Sequence, residues 1–159
     1  MTSVAGALAY FQRGFLWQRC VFTPCVFTSF FKFGVDMPHR PISDIAAAVD
    51  LYFDALYECN LEKFDQVFHT SCSLFDAMEN NFTAMPIAEY RAIIAKRTSP
   101  ASVGQAREDI LISIDMLSAD AGVAKVQLRI HDRVFIDHLN FMRIEQRFMI
   151  VAKLWHDIS

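Results

Sequence analysis

After Gln105 the chain changes its hydrophobic rhythm, and this change constrains the fold more than any other feature. Before it, apolar residues recur every three to four positions. Ile45, Val49, Tyr52, Phe53 and Leu56 form one such face, and Phe64, Val67 and Phe68 form a second. That spacing places side chains on one side of a helix. Ser43 is a candidate cap for a helix beginning at Asp44, and Asn60 for a second, followed by Glu62. Pro86 suits the first turn of a third helix carrying Tyr90, Ile93, Ile94 and Arg97. A short strand-like piece, Ser73-Leu-Phe-Asp76, lies between the second and third helices. Thr98 to Gln105 reads as a loop, marked by Ser99-Pro100 and Gly104.

From Asp109 onward the period is two. Strands are predicted over 109–117, 123–131, 134–144 and 148–155, with turns at Asp120-Ala-Gly122 and Glu145-Gln-Arg147. Helices followed by a run of strands indicate an α+β domain with an antiparallel sheet. Period two applied to the last strand puts Phe148, Ile150, Ala152 and Leu154 on one face. It puts Met149, Val151, Lys153 and Trp155 on the other. Both sets are largely apolar, so the outer face is expected to be covered by a second copy of the chain, as a homodimer.

Val134-Phe-Ile-Asp-His-Leu-Asn-Phe-Met142 sets a sharper problem, because Asp137 lies in the middle of a buried strand. Burying a carboxylate costs several kcal/mol unless it is protonated, hydrogen-bonded or paired. Two solutions are open, and the first is the expected one. Asp137 stays protonated in an apolar pocket and donates a hydrogen bond, or a cation such as Lys153 or Arg143 reaches it. These predict opposite outcomes for Asp137→Asn: tolerance in the first case and a large loss of stability in the second.

Composition excludes several functions. The net charge is −3, with no cluster of bases interleaved with aromatics, which argues against nucleic acid as a partner. The five histidines and the four cysteines (Cys20, Cys25, Cys59, Cys72) show no metal-ligand spacing, and there is no phosphate-binding glycine loop. No metal and no cofactor is expected. The cysteines read as reduced thiols, in keeping with a cytoplasmic protein.

Residues 1–36 differ from the rest. Residues 1–35 hold no Asp or Glu, and nine of the 21 aromatics. Polar residues at Gln12, Arg13, Gln18 and Arg19 interrupt the apolar run, which is too broken for a membrane span of about 20 residues. The expected organisation is an extension over 1–36, either a targeting arm or an over-long start, and one domain over 37–159. Removing the extension is expected to leave folding intact.

The order of elements resembles the nuclear transport factor 2-like superfamily. Phe135-Ile-Asp-His-Leu-Asn-Phe-Met-Arg-Ile144 with Phe148-Met-Ile-Val-Ala-Lys-Leu-Trp-His156 resembles the closing strand pair of its lumazine-binding-like branch, which is close to SnoaL-like proteins. Tyr52-Phe-Asp-Ala-Leu-Tyr-Glu-Cys-Asn-Leu-Glu-Lys-Phe-Asp-Gln-Val-Phe-His69 resembles its opening helices. Two departures stand out: His138 replaces the usual Tyr, and Phe148 the usual Trp. The resemblance implies a cone of three helices packed on a curved, mostly antiparallel sheet.

The superfamily contains enzymes, binding modules and transport factors. Carrying over the pattern of its ketosteroid isomerase-like members implies Asp76 as general base, with Tyr52 and Asp137 as oxyanion donors. Trp155, Phe53, Tyr90, Leu139 and Phe141 would line the pocket. His69 and His138 are further acid–base candidates. Two functions follow from the resemblance. One is a cofactor-free isomerase, dehydratase or cyclase acting on a small, mostly apolar carbonyl compound. The other is a non-catalytic ligand-binding or dimerisation module. Convergence of the three side chains on one cavity separates them.

Overall fold

The computed structural model describes residues 40–78 and 81–159. The expectations for 1–36 lie outside the described residues. The elements run α1 (Pro41–Glu58), α2 (Leu61–Val67), β1 (Phe68–Met78), β2 (Asn81–Pro86), α3 (Ile87–Lys96), a 3-10 turn (Ala101–Val103), β3 (Asp109–Ser118), β4 (Ala121–Ile130), β5 (Arg133–Ile144) and β6 (Arg147–Asp157). The six strands form one sheet in the order β2-β1-β6-β5-β4-β3. Every neighbouring pair is antiparallel except β1 with β6. This is an α+β domain, three helices on a mixed, mostly antiparallel sheet.

The helix starts show which local signals acted. Helix α1 begins at Pro41, before the expected Asp44, because proline suits the first helical position. Ser43 is therefore inside the first turn, where its hydroxyl donates to the Arg40 carbonyl at 2.8 Å rather than capping. Asn60 does cap α2: its Oδ1 accepts from the Glu62 and Lys63 amides, each at 3.0 Å. Strand β1 is longer than the four residues expected, and β2 was not expected at all.

The core is built where α1 lies on the sheet. Ile45, Val49, Tyr52, Phe53 and Leu56 are buried with Ala124, Val126 and Leu128 of β4, Leu139 and Phe141 of β5, and Ile150 of β6. A Cβ on Gly122 would meet the Asp115 carbonyl at 2.9 Å and Ile45 Cδ1 at 3.0 Å, so glycine permits this close approach of α1.

The assigned faces of β6 require correction. The β5–β6 register shifts between Asn140 and Phe141: Phe141 pairs with Ile150 but Asn140 pairs with Ala152, leaving Val151 extra. Such a bulge reverses the alternation. Phe148 and Ile150 therefore point to the helices before it, and Lys153 and Trp155 after it. Ala152 and Leu154 fall on the opposite, outer face with His138 and Asn140. Ile150 is fully buried within the single chain, whereas Leu154 is half exposed. The outer face is mixed rather than largely apolar.

Candidate functional site

Three polar side chains meet inside the core. Tyr52 comes from α1, Asp137 from β5 and Lys153 from β6. The Tyr52 hydroxyl donates to Asp137 Oδ2 at 2.5 Å, and Lys153 Nζ donates to the Tyr52 oxygen at 2.8 Å. The same ammonium lies 2.8 Å from Asp137 Oδ2. It also lies over the rings of Tyr52 and Tyr90, at 5.3 and 5.5 Å from their centroids. Asp137 is fully buried and Lys153 nearly so. Among the described residues Asp137 Oδ1 has no hydrogen-bond partner.

The second of the two solutions for Asp137 is the one present: a cation reaches it. The cation is Lys153. Arg143 instead reaches Asp120 and Asp44 and lies over the Phe148 ring. Register explains the choice, since Lys153 pairs with Leu139 and so points to the same inner face as Asp137, one step along the sheet.

Burial pushes the Tyr52 hydroxyl well above its ordinary range, and the neighbouring Asp137 charge adds to this. For Lys153 burial opposes the charge, but the attraction of Asp137 outweighs it and the ammonium is held above its ordinary value. The positive charge of Arg97 acts on both groups in the opposite direction. Burial also pushes the nearby Cys72 thiol up to about 12, so it is no nucleophile at neutral pH.

Beside this triad is a cavity of about 350 Å³, at the small end of the range for small-molecule sites. Leu56 of α1, Tyr90, Ile93 and Arg97 at α3, Leu74 of β1 and Met85 of β2 form one side. Leu128, Ile130, Phe135, Asp137, Lys153 and Trp155 form the sheet side, with His131, Asp132 and Arg133 at the β4–β5 turn. The lining is mostly apolar.

The expected site residues divide. Trp155 and Tyr90 line this cavity, as does Asp137. Phe53, Leu139 and Phe141 are buried core rather than wall. Tyr52 lies behind Asp137 and Lys153 and is not itself a lining residue. Asp76 does not join them. It lines a separate depression of about 340 Å³ with Phe75, Phe82, Ile136, His138, Leu154, Trp155 and His156. There its Oδ1 is 3.9 Å from His156 Nδ1. The three side chains thus do not converge on one cavity. His69 is engaged locally, its Nδ1 2.7 Å from the Ser71 hydroxyl.

Arg97, which the sequence pattern places on the third helix without a site role, is among the lining residues. Its signal was present: Tyr90, Ile94 and Arg97 follow helical spacing, so an arginine continues an otherwise apolar face.

A family model described as "Putative lumazine-binding" matches residues 40–156. The chain belongs to this family. Among solved structures it is similar to a nuclear transport factor 2-like protein of unknown function from Shewanella baltica. The identity is 18%, with 74% of this chain and 94% of that chain covered and a TM-score of 0.66. A similar protein from Silicibacter pomeroyi matches at 17% identity over 73% and 94% of the two chains, with a TM-score of 0.61. A ketosteroid isomerase-like protein from Erwinia carotovora matches at 10% identity over 76% and 98%, with a TM-score of 0.59. At these identities the likeness is one of fold. Among curated proteins none matches the chain. No helix of the described residues is long and apolar enough to cross a membrane.

Proposed function

We propose that the domain is a non-catalytic binding module whose inner cavity holds a small, mostly apolar molecule. The observation that carries this is that the Tyr52 hydroxyl spends its one hydrogen inside the triad, on Asp137 Oδ2. An oxyanion hole needs donors aimed at the place where negative charge develops. Here the Tyr52 proton is given to Asp137, and Asp137 Oδ2 accepts from both Tyr52 and Lys153. Neither Tyr52 nor the paired Asp137 carboxylate donates into the cavity, and Asp76, the base of the enzymatic reading, lines the other depression.

The apolar wall supplies affinity through burial, and Tyr90, Phe135 and Trp155 supply faces for a flat ring. The family's description names lumazine, a flat bicyclic heteroaromatic, which makes it a first compound to try. Ligand-observed NMR with lumazine and a set of aromatic fragments tests the reading on the wild type and on Met85→Trp. Met85 is a half-buried wall residue on the short strand β2, so the larger ring is expected to fill the cavity without disturbing the α1 core. Binding to the wild type that is lost in Met85→Trp supports the reading. Binding that survives the substitution, or no binding at all, refutes it.

Pairing with a second copy through the outer sheet face is part of the same proposal. The residues that support it are now Met142 and Leu154, each 50% exposed, rather than Phe148 and Ile150.

A further inference from the structure

Arg97 follows the last residue of α3 and lines the cavity. Its Nη2 donates to the Leu56 carbonyl at 2.9 Å and its Nε to Cys59 Sγ at 3.5 Å. Leu56 is in the last turn of α1, whose carbonyls lack helical partners, so these contacts fix the guanidinium at a helix C-terminus. An arginine has five N–H donors. Two are used here, which leaves three without an acceptor among the described residues. No carboxylate comes within ion-pair distance of it there. Asp137 gives its Oδ2 to Lys153, Asp157 is paired with Arg133, and Asp132 at the rim is exposed. A guanidinium half-buried in an apolar wall, anchored on one edge and without a counterion, is a receptor for an anion.

Resting on the cavity reading above, we propose that Arg97 binds the acidic end of the ligand, so that the cavity selects small, mostly apolar carboxylic acids. A carboxylate matches the planar fork of donors and carries the single charge that one cation balances. The rest of the wall accepts the hydrocarbon part.

The test uses 1-naphthaleneacetate and its amide, 1-naphthaleneacetamide, which share shape and differ in charge. Affinities are measured by calorimetry on the full chain, for the wild type, Arg97→Gln and Arg97→Lys, with thermal melts as a check on folding. The wild type is expected to prefer the acid by about ten-fold or more, as a charge-assisted hydrogen bond implies. Arg97→Gln removes that preference by weakening the acid about ten-fold more than the amide, while Arg97→Lys retains part of it. Equal affinity of the wild type for acid and amide overturns the proposal but leaves the cavity reading standing. Equal loss of both ligands in Arg97→Gln also overturns it, because that is the mark of a helix-capping role alone. Failure of the wild type to bind either compound overturns both readings. The wild-type comparison and Arg97→Lys keep the proposal open to refutation even where Arg97→Gln does not fold.

Discussion

Asp137→Asn discriminates between a paired and a protonated carboxyl, and its cost can be bounded from the geometry. The substitution removes the charge opposite Lys153 while keeping shape. The amide oxygen can still accept from Tyr52 and Lys153 in the place of Oδ2. The ammonium is then a nearly fully buried cation without a counterion, and breaking a buried pair this way costs about 3–5 kcal/mol. Deprotonation of Lys153 sets a ceiling. From the ordinary value of 10.5, neutralising a lysine at pH 7 costs about 4.8 kcal/mol, at about 1.36 kcal/mol for each unit. At pH 9 the same ceiling is about 2 kcal/mol. Urea denaturation at the two pH values should therefore show a loss of about 3–5 kcal/mol at pH 7 that shrinks to about 2 at pH 9. A neutral or stabilising effect at pH 7 would refute the pairing, since that is the behaviour of a protonated acid whose replacement amide also donates.

Three further outcomes follow from other contacts. Both Tyr52 and Lys153 release their protons later in the folded chain than in the unfolded one, because both groups are held above their ordinary values of 10.0 and 10.5. Their contribution is fully present below about pH 10 and is lost as pH rises through the folded values. Wild-type stability should thus fall above pH 10, and Tyr52→Phe should make that fall shallower in denaturant titrations. Asn60→Ala should cost about 1 kcal/mol by thermal melt, from the loss of two amide contacts at the start of α2. Leu154→Lys should lower the mass seen by light scattering to that of a monomer that still melts cooperatively; an unchanged mass would remove the outer face as the pairing surface.

How much could be read from the sequence depended on how local the determining signal was. The period change at Asp109 gave the α+β class and the four closing strands, because alternation is carried by every residue of a strand. The Asn60 cap was legible for the same reason, its donors being two and three residues away. The bulge at Val151 was not legible. Nothing in Ile150-Val-Ala152 marks an extra residue, yet it reverses the faces of everything after it and brings Lys153 to Asp137. The triad itself was partly legible. Asp137 in an apolar strand announced a buried charge, and Lys153 was one of two cations that could answer it. Which one did so depended on register between β5 and β6. Asp76 was placed with Tyr52 and Asp137 by carry-over of a family pattern. Whether it shares their cavity depends on how β1 lies in the sheet, which spacing along the chain does not encode. Arg97 was legible as part of the third helix but not as cavity wall, because a charged residue at a helix end reads as solvated until the neighbouring strands are seen to enclose it.

The occupancy of the inner cavity can be read directly from methionine methyl groups. Met85 is part of its wall, whereas Met142 is exposed on the outer face of β5. Methyl carbon–proton NMR spectra of the methionine-labelled chain, recorded during titration with 1-naphthaleneacetate, report on both sites at once. Saturable movement of the Met85 methyl with Met142 unmoved is the result predicted by ligand binding between α3 and the sheet. Movement of Met142 alone, or of neither methyl at millimolar ligand, would contradict it.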